Sequence, residues 1–156
     1  AIFLVFSPAP LSPQKGFFSD GLWVDISLEG ALVGAITVLA YFIGLFVSGS
    51  HNNLVLGRTM AFCTLGFCEI THAIGTRSSS PLYKAGFFSN KAMNFAVIVC
   101  TAVQASVVIL EPLAKIFGVV PLSLNQWLIV LALSLVPLIS GEIGKICFSK
   151  QKSPRA

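Results

Sequence analysis

The chain has 156 residues, 55% of them hydrophobic and only 10% charged, with a formal net charge of +4. A soluble domain carries roughly a quarter charged residues; that deficit, a mean hydropathy of +0.87 and several long apolar runs place the chain among integral membrane proteins. The basic residues sit in loops and in the tail, not along one stripe, which argues against nucleic acid as a partner and makes the charge a report on membrane orientation.

The chain opens on Ala1–Phe6, AIFLVF, too short for a signal-peptide core and without a basic segment before it. It reads as the stub of an earlier helix, so a piece of a longer protein is expected. Ser7–Gly21 holds three prolines, which keep it extended. Residues 1–22 are thus read as a cytoplasmic or interfacial lead-in, with Ser19 or Asp20 capping the helix that follows.

Span one is predicted over Trp23–Val47, with no charge from Gly30 to Val47 and Trp23 as an interfacial anchor. Gly30 and Gly34, with Ala31 and Ala35 beside them, have the GxxxG spacing of close helix crossings, although glycine is also simply common in membrane helices. Asp25 and Glu29 fall in the first turns, where a positive helix N-terminus tolerates them, and read as interfacial. Ser48–Gly57 is predicted as a short polar loop.

Span two lies in Gly57–Ser80, GRTMAFCTLGFCEITHAIGTRSSS. It carries Glu69 and His72 in its interior. With a helix start near Thr59, Glu69 is about 15 Å along, half of a ~30 Å hydrocarbon core. A carboxylate there costs roughly 2.5–3.5 kcal/mol on insertion scales, so it calls for a partner, a cavity or an ion. Gly66, Glu69, Ala73 and Thr76 make one small or polar stripe; Thr64, Cys68, Thr71 and Gly75 make a second. Phe67, Ile70 and Ile74 alone form a bulky face. Small residues let neighbours come close, so this helix belongs inside a bundle.

Arg77–Lys91 is the next loop, broken by Pro81. Gly86–Asn90, GFFSN, repeats the Gly16–Asp20 pattern GFFSD: aromatic residues for the interface, then a capping residue. Span three is predicted over Ala92–Leu110, with Asn94 and Gln104 hydrogen-bonding between helices. Glu111–Gln126 is a turn with Pro112 and Pro121. Span four runs from Trp127 to Lys145, the two residues marking its interfaces. Pro137 should kink it, and Glu142 and Lys145 should pair near its exit. Residues 23–146 form the four-helix module and 147–156 a basic cytoplasmic tail.

Cys63, Cys68, Cys100 and Cys147 form no CxxC pair, which argues for small buried apolar residues over a zinc site or disulfides. The fold class is therefore all-α, four transmembrane helices in a bundle. Four spans put both termini on one side. That side collects Lys15, then Arg77, Lys84 and Lys91, then Lys150, Lys152 and Arg155, against Arg58 and Lys115 opposite; the positive-inside rule makes it cytoplasmic.

Several of these features, in this order and spacing, resemble the C-terminal membrane region of P-type cation-transporting ATPases of the calcium-pump type. They are Gly57-Arg58-Thr59-Met60-Ala61-Phe62 opening span two, Glu69, Asn125-Gln126-Trp127, Pro137 and the Glu142–Lys145 exit. The similarity runs from about Pro8 to Lys145, and the resemblance makes the four helices the seventh to tenth of such a pump. It also places Glu69 where sarcoplasmic-type calcium pumps have an acidic ion ligand, the other ligands lying on helices this sequence lacks. His72 receives no ligand role. The parent would use ATP with magnesium and a transported cation; the chain itself calls for no cofactor. Its partners would be the lipid bilayer, the remaining pump helices and the cation.

The sequence departs from the whole family pattern in lacking the aspartyl-phosphate motif DKTGT, a TGE loop and a nucleotide domain. Its Ser7–Pro13 stretch also lacks the basic residues that usually accompany the prolines before the seventh helix. Alone it is expected neither to hydrolyse ATP nor to pump. Two other readings stay open: a free-standing four-span packing or regulatory protein, and a small proton-linked transporter using Glu69 and His72.

Overall fold

The computed structural model describes residues 22–47, 53–76 and 90–151, and among them every regular element is a helix. In chain order these are α1 (Leu22–Val47), α2 (Asn53–Gly75), α3 (Lys91–Ile109), the short α4 (Glu111–Phe117), α5 (Leu124–Ser134) and α6 (Val136–Gln151). Four stretches are long and apolar enough to cross a membrane: Ile26–Phe46, Leu54–Gly75, Lys91–Ile109 and Leu124–Ile146. The protein is thus a multi-pass membrane bundle, with α5 and α6 together making the fourth span. The Ser7–Gly21 lead-in, the body of the Arg77–Lys91 loop, the Trp23 and Asp25 side chains and the end of the tail lie outside the described residues.

Span two is the most deeply buried of the four, and α2 touches α1, α3, α5 and α6. Leu56, Met60, Cys63 and Phe67 recur at helical spacing along it and meet Val108 of α3 and Val130 of α5 in the main core. A second face carries Cys68 against Val33 and Ile36 of α1. Both cysteines of α2 are free and buried, whereas Cys100 faces outward.

The helix starts six residues earlier than the Thr59 expectation, and Asn53–Gly57 belong to α2, not to a loop. The reason is packing. Leu56 is part of the core, and Gly57 lies in the closest approach of α1 and α2. A Cβ on Gly57 would stand 2.8 Å from the Tyr41 carbonyl oxygen, and one on Gly44 would stand 2.6 Å from Gly57 Cα. The tight crossing is therefore Gly44 with Gly57. The GxxxG pair read in span one, Gly30 and Gly34, faces open space with nothing within 4 Å.

Local signals set the remaining boundaries. Asn90 caps α3, its Oδ1 accepting the Met93 N–H at 3.1 Å. Pro112 sits in the first turn of α4, where no N–H is missed, and Gly118 ends that helix at φ 63°. Ser123 N–H donates to Gln126 Oε1 at 2.7 Å as α5 starts. The fourth span breaks at Leu135, between α5 and α6, because the Pro137 ring removes a backbone donor and collides with the turn before it. The break is closed from outside: the Thr71 hydroxyl of α2 donates to the Ser134 carbonyl at 2.7 Å. Trp127, read as an interface marker, also packs against the core: its ring meets Phe67 edge-on at 6.1 Å. Beyond Lys145, α6 continues to Gln151, into the stretch read as tail.

Candidate functional site

Three faces of α2 are covered by other helices, and one is not. Leu65, Glu69 and Ala73, spaced four apart, are all exposed. Gly66, placed with them by sequence, turns toward α3: a Cβ there would lie 2.5 Å from the Gln104 amide carbon. Gln104 Nε2 in turn reaches the Phe62 carbonyl at 3.4 Å, the interhelical bond expected of it. Asn94 makes no side-chain hydrogen bond among the described residues.

Glu69 has no hydrogen-bond or ion-pair partner among the described residues. Because α2 begins early, its depth also changes. Counting from Leu54, where the apolar span starts, it lies about 23 Å along a rise of 1.5 Å per residue. That is some two-thirds of the way through the span, nearer the Gly75 end than mid-membrane.

His72 takes a different direction. Its Nδ1 lies 3.3 Å from Glu29 Oε1, so the acid read as interfacial, still partly exposed, also joins α1 to α2. The proton-path reading asks Glu69 and His72 to act together; here His72 is engaged by Glu29 instead. The same end of the bundle holds Lys145. Its ammonium donates to Glu142 Oε1 at 2.7 Å and to the Gly75 carbonyl at 2.5 Å. The first contact is the expected pair. The second, which sequence reading missed, caps the negative C-terminus of α2.

No group of three or more His, Cys, Asp or Glu among the described residues is placed to hold a metal ion. Glu69 therefore offers one carboxylate, not a completed site. Calcium takes six to eight oxygen ligands, so Glu69 can act on such a cation only beside ligands from other helices.

The sequence matches the family described as cation transporting ATPase, C-terminus, over residues 5–147. It is 31% identical to calcium-transporting ATPase 1 of Bacillus cereus, covering 91% of this chain and 18% of that protein. It is 28% identical to the calcium-transporting ATPase of Bacillus subtilis, covering 89% and 16%. With calcium-transporting ATPase type 2C member 1 of Mus musculus it shares 30% identity over 78% of this chain and 14% of the relative. The chain thus spans less than a fifth of the length of these relatives.

Proposed function

The chain belongs to the cation-transporting ATPase C-terminal family, and from that premise we propose that it is the C-terminal transmembrane part of an ATP-driven, calcium-type cation pump, supporting the ion site and lending it Glu69. The observation that carries this reading is the uncovered stripe Leu65, Glu69, Ala73 on the most buried helix of the bundle. A carboxylate within a membrane span is costly facing lipid. Small Ala73 beside it leaves room for another helix to approach. The remaining pump helices would cover the stripe and bring the missing oxygen ligands. ATP with magnesium, and the phosphorylated aspartate, belong to parts of the parent outside this sequence.

Glu69→Gln keeps the size and one acceptor oxygen but removes the charge. In the pump containing this chain, cation-dependent phosphorylation is measured over a concentration series. Half-saturation is expected to rise about tenfold, the equivalent of roughly 1.4 kcal/mol, with expression unchanged; Glu69→Ala should raise it further. Identical half-saturation for wild type and Glu69→Gln would leave Glu69 a structural residue.

The orientation belongs to the same proposal. Lys145 and Gly75 share one end of the bundle. Arg58 lies beside Gly118, past the end of α4 that carries Lys115, at the other. The first end is also the one from which Lys15, the Arg77–Lys91 loop and the tail extend in sequence, so it is cytoplasmic by the positive-inside rule. Ser50→Cys should react with an impermeant thiol reagent in intact cells, and Ser79→Cys only after permeabilisation. Outside labelling at position 79 would reverse the topology.

A further inference from the structure

The connection between the third and fourth spans is more than a loop. After Ile109 the chain turns at Leu110 and forms α4, whose faces differ in character. Ala114 is buried. Glu111 and Lys115, one turn apart, form an exposed charged edge. Beside it Ile116 is 77% exposed, Ile109 on the way in is 64% exposed and Leu124 on the way out is 76% exposed.

This segment is fastened to the bundle at the end where span two begins. Val120 N–H donates to Thr59 Oγ1 at 3.1 Å. The Phe117 ring lies 6.0 Å from that of Phe62. Arg58 reaches Gly118, its guanidinium 3.5 Å from where a Cβ would be. The height of α4 relative to α2 is therefore fixed by contacts on three residues of α2.

Bulky apolar residues exposed in water are costly, yet these are not isolated. Phe95, Ile98 and Val103 of span three and Leu128 and Leu131 of span four are exposed in the same way, and Leu124, Leu128 and Leu131 recur at helical spacing along one side of α5. Those surfaces belong to membrane-crossing helices, and α4 lies in sequence between the end of one crossing and the start of the next. A bilayer that surrounds those spans is the occupant that suits the apolar residues between them.

We propose that α4 is an interfacial anchor: it lies at the boundary between headgroups and acyl chains, with Ile116, Leu110 and Leu124 in the lipid and Lys115 reaching the headgroups and water. An amphipathic helix with one apolar and one charged edge partitions there, and a lysine stem extends its charge outward from such a site. Through Thr59 and Phe62 the anchor sets the depth of α2 in the membrane, and with it the depth of Glu69.

Adjacent residues give the test. Single nitroxide labels are placed at Ile116→Cys and at Lys115→Cys, with Cys100 and Cys147 replaced by serine and the chain reconstituted in phosphatidylcholine vesicles. Both positions are exposed, so the labels displace no core residue. The label at 116 should collide with membrane-soluble oxygen in preference to a water-soluble nickel chelate, and the ratio should invert at 115. A label at Leu124→Cys should follow 116. Equal access of the nickel chelate to 115 and 116 would show α4 standing in water and overturn the proposal. Shielding of 116 from both reagents would overturn it too, by showing that protein covers the helix.

Discussion

Gly57→Leu is expected to separate α1 from α2 and to lower the stability of the bundle by about 3 kcal/mol, at the upper end of what overpacking costs. The most extensive helix contact in the chain is between these two helices, and at Gly57 it is backbone against backbone. The nearest atom to a new side chain is the Tyr41 carbonyl oxygen, at 2.8 Å from the Cβ. No rotamer of either residue relieves that, so the helices must move apart. Gly44→Leu meets the Gly57 backbone from the opposite side and should behave alike. Leucine is the better helix former by several tenths of a kcal/mol, so a loss of stability would run against propensity and report packing alone. Gly34→Leu is the control: it enters open space and should leave the unfolding midpoint of this chain in detergent unchanged. Equal midpoints for all three variants would mean that the glycine crossing does not hold the helices together.

Lys145→Met should cost about 3 kcal/mol as well, by leaving a half-buried carboxylate poorly paired. The substitution keeps an apolar stem of similar length, so packing changes little. It removes the ammonium that now serves Glu142 on α6 and the terminal carbonyl of α2 at Gly75 together. Near the low-dielectric interior that carbonyl gains no replacement donor cheaply. The double variant Glu142→Gln with Lys145→Met removes both charges and should recover part of the loss. Thermal unfolding in detergent reads both. A double variant less stable than Lys145→Met alone would show that Glu142 is held by its other contacts and that the pair is not the source of the effect.

Glu29 and Gly30 both sit near the start of span one, and the local sequence speaks only of an acid tolerated by the helix N-terminus and a glycine in a crossing motif. Yet Glu29 meets His72, Val33 packs with Cys68, and Gly44 abuts Gly57. Each of these pairs is equidistant in sequence from the Ser50–His51 peptide. Two antiparallel helices joined by a short connection stay in register from end to end. Locating the centre of the turn would thus have found the Glu29–His72 pair and the glycine crossing at once. A loop that runs to Gly57 hides both.

What the sequence determined by itself was the set of local and one-dimensional quantities. Apolar length fixes the number of spans, because a bilayer of given thickness asks for about 20 residues per crossing. Pro137 fixes the break in the fourth span, because a missing donor is a property of that residue alone. Asn90 as a cap and the Glu142–Lys145 pair are likewise settled within one turn of helix. The tertiary structure decided which face of α2 meets which neighbour. Small or polar residues make two stripes of that helix, so its periodicity does not single out the open face; only the placement of four partners shows that Leu65, Glu69 and Ala73 are the face left over. It also decided that Lys145 closes the end of α2, a contact spanning 70 residues of sequence. Such a contact depends on where two helices end in space, and no spacing along the chain encodes that.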